Sequence, residues 1–142
     1  ILYNMSSYNV VLLLGSNIGN TEQNLQNAIA KIENRIGNIN KLSKMLETKP
    51  VEFVSNNIFR NIAVSLYTNV SPFYLLREIK NIEKEMGRAQ DSFAVGGYID
   101  RIIDIDIVLY GDVIIQSKIL EIPHKKHLLE RDFSKVLLEE IK

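Results

Sequence analysis

The sequence predicts an α+β sandwich: a largely antiparallel sheet covered by helices. Three observations carry this prediction. Apolar periods near two and near 3.6 alternate along the chain in the order strand, helix, strand, strand, helix, strand, strand, helix. Sequential strands are joined by short, punctuated connections, with two long helices between them. The 142 residues, 46% hydrophobic and 24% charged, fit one globular domain over residues 5–142. That combination is the ferredoxin-like class, a fold that hosts many activities and decides none.

Each element has a local cause. Val10–Leu14 is a short continuous apolar run closed by Gly15-Ser16-Asn17, a buried strand running into a turn. Leu25, Ala28, Ile29, Ile32 and Ile36 recur at helical spacing, with Asn20 or Thr21 to cap the start and Gly37 to stop it. Ile39–Thr48 reads as a second strand and Pro50–Asn57 as a polar loop. Phe59–Thr68 alternates, with Ile62, Val64 and Leu66 on one face. Ser71-Pro72 opens a helix: a hydroxyl cap, then proline where no N–H is needed. Its apolar stripe is Phe73, Leu76, Ile79, Ile82 and Met86, ended by Gly87. Arg88–Asp100, containing Gly96-Gly97, is a long loop of the kind that is often functional. Ile102–Tyr110 alternates, with Ile103, Ile105, Ile107 and Leu109 on one face. Gly111-Asp112 signals a tight hairpin, with Val113–Ile115 as the return strand. Asp132 or Ser134 caps a last helix through Ile141.

Composition excludes several classes. There are 17 basic and 17 acidic residues, so the basic excess typical of nucleic-acid binders is missing. No cysteine is present, which removes disulfides, thiolate metal sites and a catalytic thiol. No apolar run approaches the roughly 20 residues of a membrane span, and no secretory signal is visible. A cytoplasmic location is expected. Met5 reads as a natural start, with Ile1–Asn4 as a remnant ahead of it.

The sharpest chemical feature is Asp104-Ile105-Asp106 within the last alternating strand. Successive strand side chains point to opposite faces, so the two carboxylates share one, with Cα atoms roughly 6–7 Å apart. Aspartate is disfavoured inside strands. Such a pair either faces a hard divalent cation or lies on the solvated face of an edge strand. Arg88 and Arg101 border the long loop and suit polyphosphate, or are ordinary surface arginines. Gly15-Ser16-Asn17 is placed for a backbone anion cradle or a plain turn, and is not a Walker motif. His124, Lys125, Lys126, His127 and Arg131 form a basic cluster that suits phosphate or is simply solvated. Phe59 and Asn61 share a strand face: an aromatic and an amide that would suit a flat heterocycle, or plain packing.

In their order and spacing these pieces resemble the 6-hydroxymethyl-7,8-dihydropterin pyrophosphokinases of folate biosynthesis, from about Val10 to Phe133. The shared motifs are Leu14-Gly15-Ser16-Asn17, Glu47-Thr48-Lys49-Pro50, Phe59-Arg60-Asn61, Glu83 through Gly87-Arg88, Pro123-His124 and Arg131-Asp132-Phe133. The most specific is Arg101-Ile102-Ile103-Asp104-Ile105-Asp106-Ile107-Val108, similar to the family's Arg-x-x-Asp-hydrophobic-Asp signature. The resemblance implies transfer of pyrophosphate from ATP to the pterin hydroxymethyl group, releasing AMP. It implies two Mg2+ ions held by Asp104 and Asp106, and stabilisation of the transferring phosphates by Arg88 and Arg101. It places Glu83, Arg88, Arg101, Ile107, His124 and Arg131 at ATP, and Thr48, Val51, Phe59, Asn61 and Phe133 at the pterin. A monomer with no nucleic-acid or membrane partner is the implied default. Four positions depart from the family pattern. Tyr98-Ile99-Asp100 stands where Trp-Gly-Pro is common, Gln90 where some members have arginine, and Lys49 where proline is frequent. The interval from His124 to Arg131 is one residue longer than usual. The competing expectation is a non-catalytic ligand-binding module on the same sheet.

Overall fold

The computed structural model describes residues 7–49, 58–87 and 101–142. Its elements in chain order are β1 (Tyr8–Ser16), α1 (Thr21–Arg35), β2 (Asn38–Leu42), β3 (Leu46–Thr48), β4 (Phe59–Thr68), α2 (Pro72–Glu85), β5 (Asp104–Tyr110), β6 (Ile115–Gln116), β7 (Glu121–Ile122) and α3 (Asp132–Glu140). The main sheet has the order β2-β4-β1-β5, with β3 also on β4. Every pairing is antiparallel. This is the ferredoxin-like arrangement the sequence predicts, with β1 in the interior. The Pro50–Asn57 loop, the Arg88–Asp100 loop and the Met5 start lie outside the described residues.

Both faces of the sheet are covered. On one face, Val10, Leu12 and Leu14 of β1 meet Ile62, Val64 and Leu66 of β4 under Leu25, Ala28 and Ile32 of α1 and Leu75, Ile79 and Ile82 of α2. On the other, Val11, Leu13, Ala63 and Val108 pack under Leu137 and Ile141. Covering both faces explains why β1 reads as a continuous apolar run rather than an alternating one. Each fully buried aliphatic side chain contributes about 1.5–3 kcal/mol. Asn20 caps α1 by accepting from Gln23 N, and Ser71 caps α2 by accepting from Tyr74 N, with Pro72 at its start. After α1 the backbone passes so close to β4 that a Cβ on Gly37 would lie 1.9 Å from the Tyr67 carbonyl oxygen. Among the described residues, no helix is long and apolar enough to cross a membrane.

Several expectations need correction. The predicted Ile39–Thr48 strand is two strands, because Ser43 leaves the ladder: its Oγ accepts from Ala63 N while its own N–H donates to Ala63 O. In α2 the buried stripe runs through Leu75, Ile79 and Ile82, while Phe73 is exposed. The register of β5 against β1 slips between Leu109 and Ile107. This bulge turns Val108 to the α3 face and brings Tyr110 into the α1/α2 core in place of Leu109. The return segment after Gly111 does not pair with β5; β6 pairs with β7 as a separate ribbon. Neither Asp132 nor Ser134 caps α3: Asp132 is its first residue, and the Ser134 hydroxyl bonds to His127. A five-residue π-helical turn, Lys126–Glu130, precedes α3 and is closed by Arg131 N donating to Lys126 O at 3.0 Å.

Candidate active site

The α3-side face of the sheet is apolar under α3 and becomes polar toward the end of β1. Gly15 of β1 is paired with Asn61 on β4 and with Asp104 on β5. Three adjacent strands therefore bring an amide, a glycine and a carboxylate abreast, spanning about 10 Å between the outer two. A side chain would be crowded here. A Cβ at this position would lie 2.7 Å from Asn61 Oδ1 and 3.8 Å from Phe59 Cδ1. Phe59 and Asn61 on one side and Asp104 on the other thus flank the side-chain-free position at Gly15, a candidate trough. Asn61 is buried, and its Nδ2 donates to Thr48 Oγ1 at 3.1 Å, which aims Oδ1 toward the trough.

Alternation along β5 puts Asp106 on the same face as Asp104, as the sequence predicts, with Ile103, Ile105 and Ile107 buried in the opposite core. Arg101 Nη1 lies 3.4 Å from Asp104 Oδ2. The Arg101 main chain is clamped by Asn17: its N–H donates to Asn17 Oδ1, and Asn17 N–H donates to Arg101 O at 2.9 Å. The Gly15-Ser16-Asn17 turn is thus committed to internal contacts. Ser16 Oγ accepts from Asn24 Nδ2.

Asp106 meets the C-terminal segment. Its Oδ2 lies 2.7 Å from His127 Nε2 and 4.0 Å from His124 Nε2. His127 Nδ1 is 2.7 Å from Ser134 Oγ, and Arg131 Nη1 is 3.4 Å from His127 Nε2. The Phe133 ring meets His127 edge-on at 6.3 Å. Burial would raise the Asp106 carboxyl, but the hydrogen bond from His127 and the charges of His127, His124 and Arg131 outweigh it and hold the group below the ordinary carboxylate range. Burial lowers the His124 imidazole, against the opposing pull of Asp106.

The structure thus gathers Thr48, Phe59, Asn61 and Asp104 around the trough, with Arg101 beside Asp104. Asp106, His124, Arg131 and Phe133 gather a short step along β5. Arg88, Val51 and Tyr98 lie outside the described residues. Two predicted ATP residues stand apart. Glu83 is 2% exposed and accepts from Ile105 N at 2.8 Å, covering a main-chain group on the outer edge of β5, with Lys80 Nζ at 3.4 Å. Ile107 points into the core, so only its main chain can meet a ligand. The sequence reading left out His127 as an individual site residue. Its signal was weak: one imidazole in a basic run, brought to Asp106 only by the turn before α3.

Comparison with known proteins shows the family. The family model for 7,8-dihydro-6-hydroxymethylpterin-pyrophosphokinase (HPPK) matches residues 11–142. The 2-amino-4-hydroxy-6-hydroxymethyldihydropteridine pyrophosphokinase of Porphyromonas gingivalis is 38% identical over 133 residues, covering 93% of this chain and 89% of the relative. The Aquifex aeolicus protein of the same name is 40% identical over 124 residues, covering 87% of this chain and 74% of the relative. Among solved structures, wild-type Plasmodium falciparum HPPK-DHPS with SDX-DHP superposes with a TM-score of 0.71 at 19% identity, over 94% of this chain. This chain spans 40% of that longer one, and the likeness shows the fold.

Proposed function

The chain belongs to the 7,8-dihydro-6-hydroxymethylpterin-pyrophosphokinase family, and from that premise we propose how its residues divide the work. The activity is transfer of a pyrophosphoryl group to the hydroxymethyl group of the pterin in folate synthesis. ATP is the donor, AMP leaves, and Mg2+ is required. The observation that carries the assignment is the row Asn61–Gly15–Asp104 with Asp106 on the same face.

The trough takes the pterin. Thr48 fixes the Asn61 amide, which offers its carbonyl oxygen to ring N–H groups, and Phe59 supplies an apolar side. Phe133 adds an aromatic wall near Asp106; Val51 is assigned to the same substrate by its motif alone. The hydroxymethyl arm then points toward Asp104 and Asp106. Two carboxylates on one face fit Mg2+, with Asp106 held ionised by its neighbours, while ring nitrogens of His124 and His127 lie within 4.8 Å of its carboxylate. Two bound Mg2+ ions would neutralise phosphate charge and align the hydroxyl for attack. Arg101, Arg131 and His124 supply positive charge and hydrogen bonds for the triphosphate, with Arg88 joining them by its motif. The Ile107 main chain lies on the β5 edge, where the nucleotide would lie, and the buried Glu83 braces that edge by accepting from Ile105 N. Together these groups hold the hydroxyl and the phosphorus it attacks in one geometry, which is most of what such a transfer needs. The protein acts as a cytoplasmic monomer with no nucleic-acid or membrane partner.

Separation of AMP from ADP tests this reading. The protein, incubated with ATP, Mg2+ and the dihydropterin, forms AMP only when the pterin and the metal are present. Asp104→Asn and Asp106→Asn each lower that rate by at least about 100-fold in protein that stays folded. Wild-type rates in either variant at matched Mg2+ would remove the assigned role. No AMP from folded wild type would favour the non-catalytic binding module.

A further inference from the structure

Most of the charged groups around Asp106 have a place in the reaction; His127 does not. It is 2% exposed, and both of its ring nitrogens are engaged at 2.7 Å, Nε2 with Asp106 Oδ2 and Nδ1 with Ser134 Oγ. Ser134 is fully buried. The imidazole is walled in by the His124 ring, whose centroid is 4.3 Å away, and by the edge of Phe133. An imidazole used only to fill space would be replaceable by an apolar side chain, which buries without needing two polar partners. The residue also sits inside the π-helical turn. π-turns concentrate at functional sites.

We propose that His127 is a positioning residue: it fixes the Asp106 carboxylate by one oxygen and so presents the other, Oδ1, to the catalytic metal. The hydrogens can be assigned from the network. An ionised Asp106 only accepts, so Nε2 carries a hydrogen and donates to Oδ2. Nδ1 meets the Ser134 hydroxyl at 2.7 Å, which fixes the orientation of the ring. The chain Ser134–His127–Asp106 anchors a carboxylate on β5 to the first turn of α3. A ligand held this way loses less freedom when the metal arrives. Such outer partners typically account for 10–100-fold in metal affinity.

The inference rests on Asp104 and Asp106 being the metal carboxylates, and the test separates the two claims. Mn2+ is titrated into the protein with a non-hydrolysable ATP analogue, and bound metal is read by electron paramagnetic resonance. His127→Leu is expected to weaken Mn2+ binding about 10–100-fold. The Mg2+ concentration for half-maximal AMP formation should rise in proportion. His127→Gln, whose amide can donate from near the Nε2 position, should recover most of the loss, and Ser134→Ala should fall between. Wild-type Mn2+ affinity in folded His127→Leu overturns the proposal, as does a His127→Gln variant no better than the leucine. If the leucine variant does not fold, Ser134→Ala decides: unchanged Mn2+ affinity there is also refuting. If Asp106→Asn binds Mn2+ as tightly as wild type, the metal reading itself fails, whatever His127 does.

Discussion

Replacing Gly15 with alanine should uncouple pterin binding from folding. The new Cβ would lie 2.7 Å from Asn61 Oδ1, against 3.4 Å for an ordinary contact, so something must yield by about 0.7 Å. Backbone shift is resisted on both sides, because Gly15 is paired with β4 and β5 at once. The Asn61 amide must therefore swing, and its 3.1 Å bond to Thr48 Oγ1 goes with it. Losing that bond costs about 1 kcal/mol, and an off-rotamer amide adds about 0.5–1.5. Alanine's lower conformational entropy in the unfolded chain returns about 0.5–1. The net loss is roughly 1 kcal/mol, a fall of a few degrees in Tm for a domain of this size. Binding should suffer more. A misdirected amide no longer meets the ring N–H groups it was aimed at, a loss of about 1.5–3 kcal/mol, or 10–100-fold in Kd. Calorimetric titration with the dihydropterin in the presence of a non-hydrolysable ATP analogue measures this directly. Nucleotide affinity without pterin should stay within a few-fold of wild type. An unchanged pterin Kd alongside the fall in Tm would refute the trough, and so would an equal loss of nucleotide affinity.

Two further outcomes follow from the same coordinates. Glu83→Leu removes the acceptor from Ile105 N–H on the edge of β5, which should cost about 1–3 kcal/mol in denaturant unfolding, while Glu83→Gln keeps an oxygen and should cost less; equal stability of the leucine variant would show that the edge group is satisfied another way. Glu85 is held down to about 2 from an ordinary 4.5, chiefly by its 2.5 Å hydrogen bonds with Arg35. Because the folded value is the lower one, the contribution is complete above pH 4.5 and is lost as pH falls toward 2. The Tm of Arg35→Gln should therefore fall less steeply than wild type across that interval; parallel slopes would deny the pair any role.

Much of the fold was legible because it is written in local patterns. The limits of β4 match the alternation over Phe59–Thr68, and Ser71-Pro72 opens α2 as its chemistry requires. Asp104 and Asp106 could be placed on one face from the pleat alone. The misreadings share a cause: each depends on a partner elsewhere in the chain. Ser43 breaks the second strand because Ala63 is there to bond with it. The bulge that exchanges Leu109 for Tyr110 in the core is a matter of register against β1. Phe73 fits a helical stripe on paper, yet α2 docks through Leu75 and leaves it exposed.

The same division runs through the site. Residue types and spacing determined that two carboxylates share a strand face, that arginines stand close in sequence to them, and that Phe59 and Asn61 lie side by side on another strand. These follow from a period of two and from the chemistry of single residues, and need no knowledge of the partner. Only the tertiary structure decided which strand lies beside which. Pairing β1 with both β4 and β5 put Gly15 between Asn61 and Asp104, and converted two unrelated motifs into one trough. Docking α3 on the same face brought Ser134 and His127 to Asp106, although the hydroxyl is 28 positions along the chain from the carboxylate. Interactions at that separation are set by how hydrophobic faces bury one another, and no local pattern encodes them.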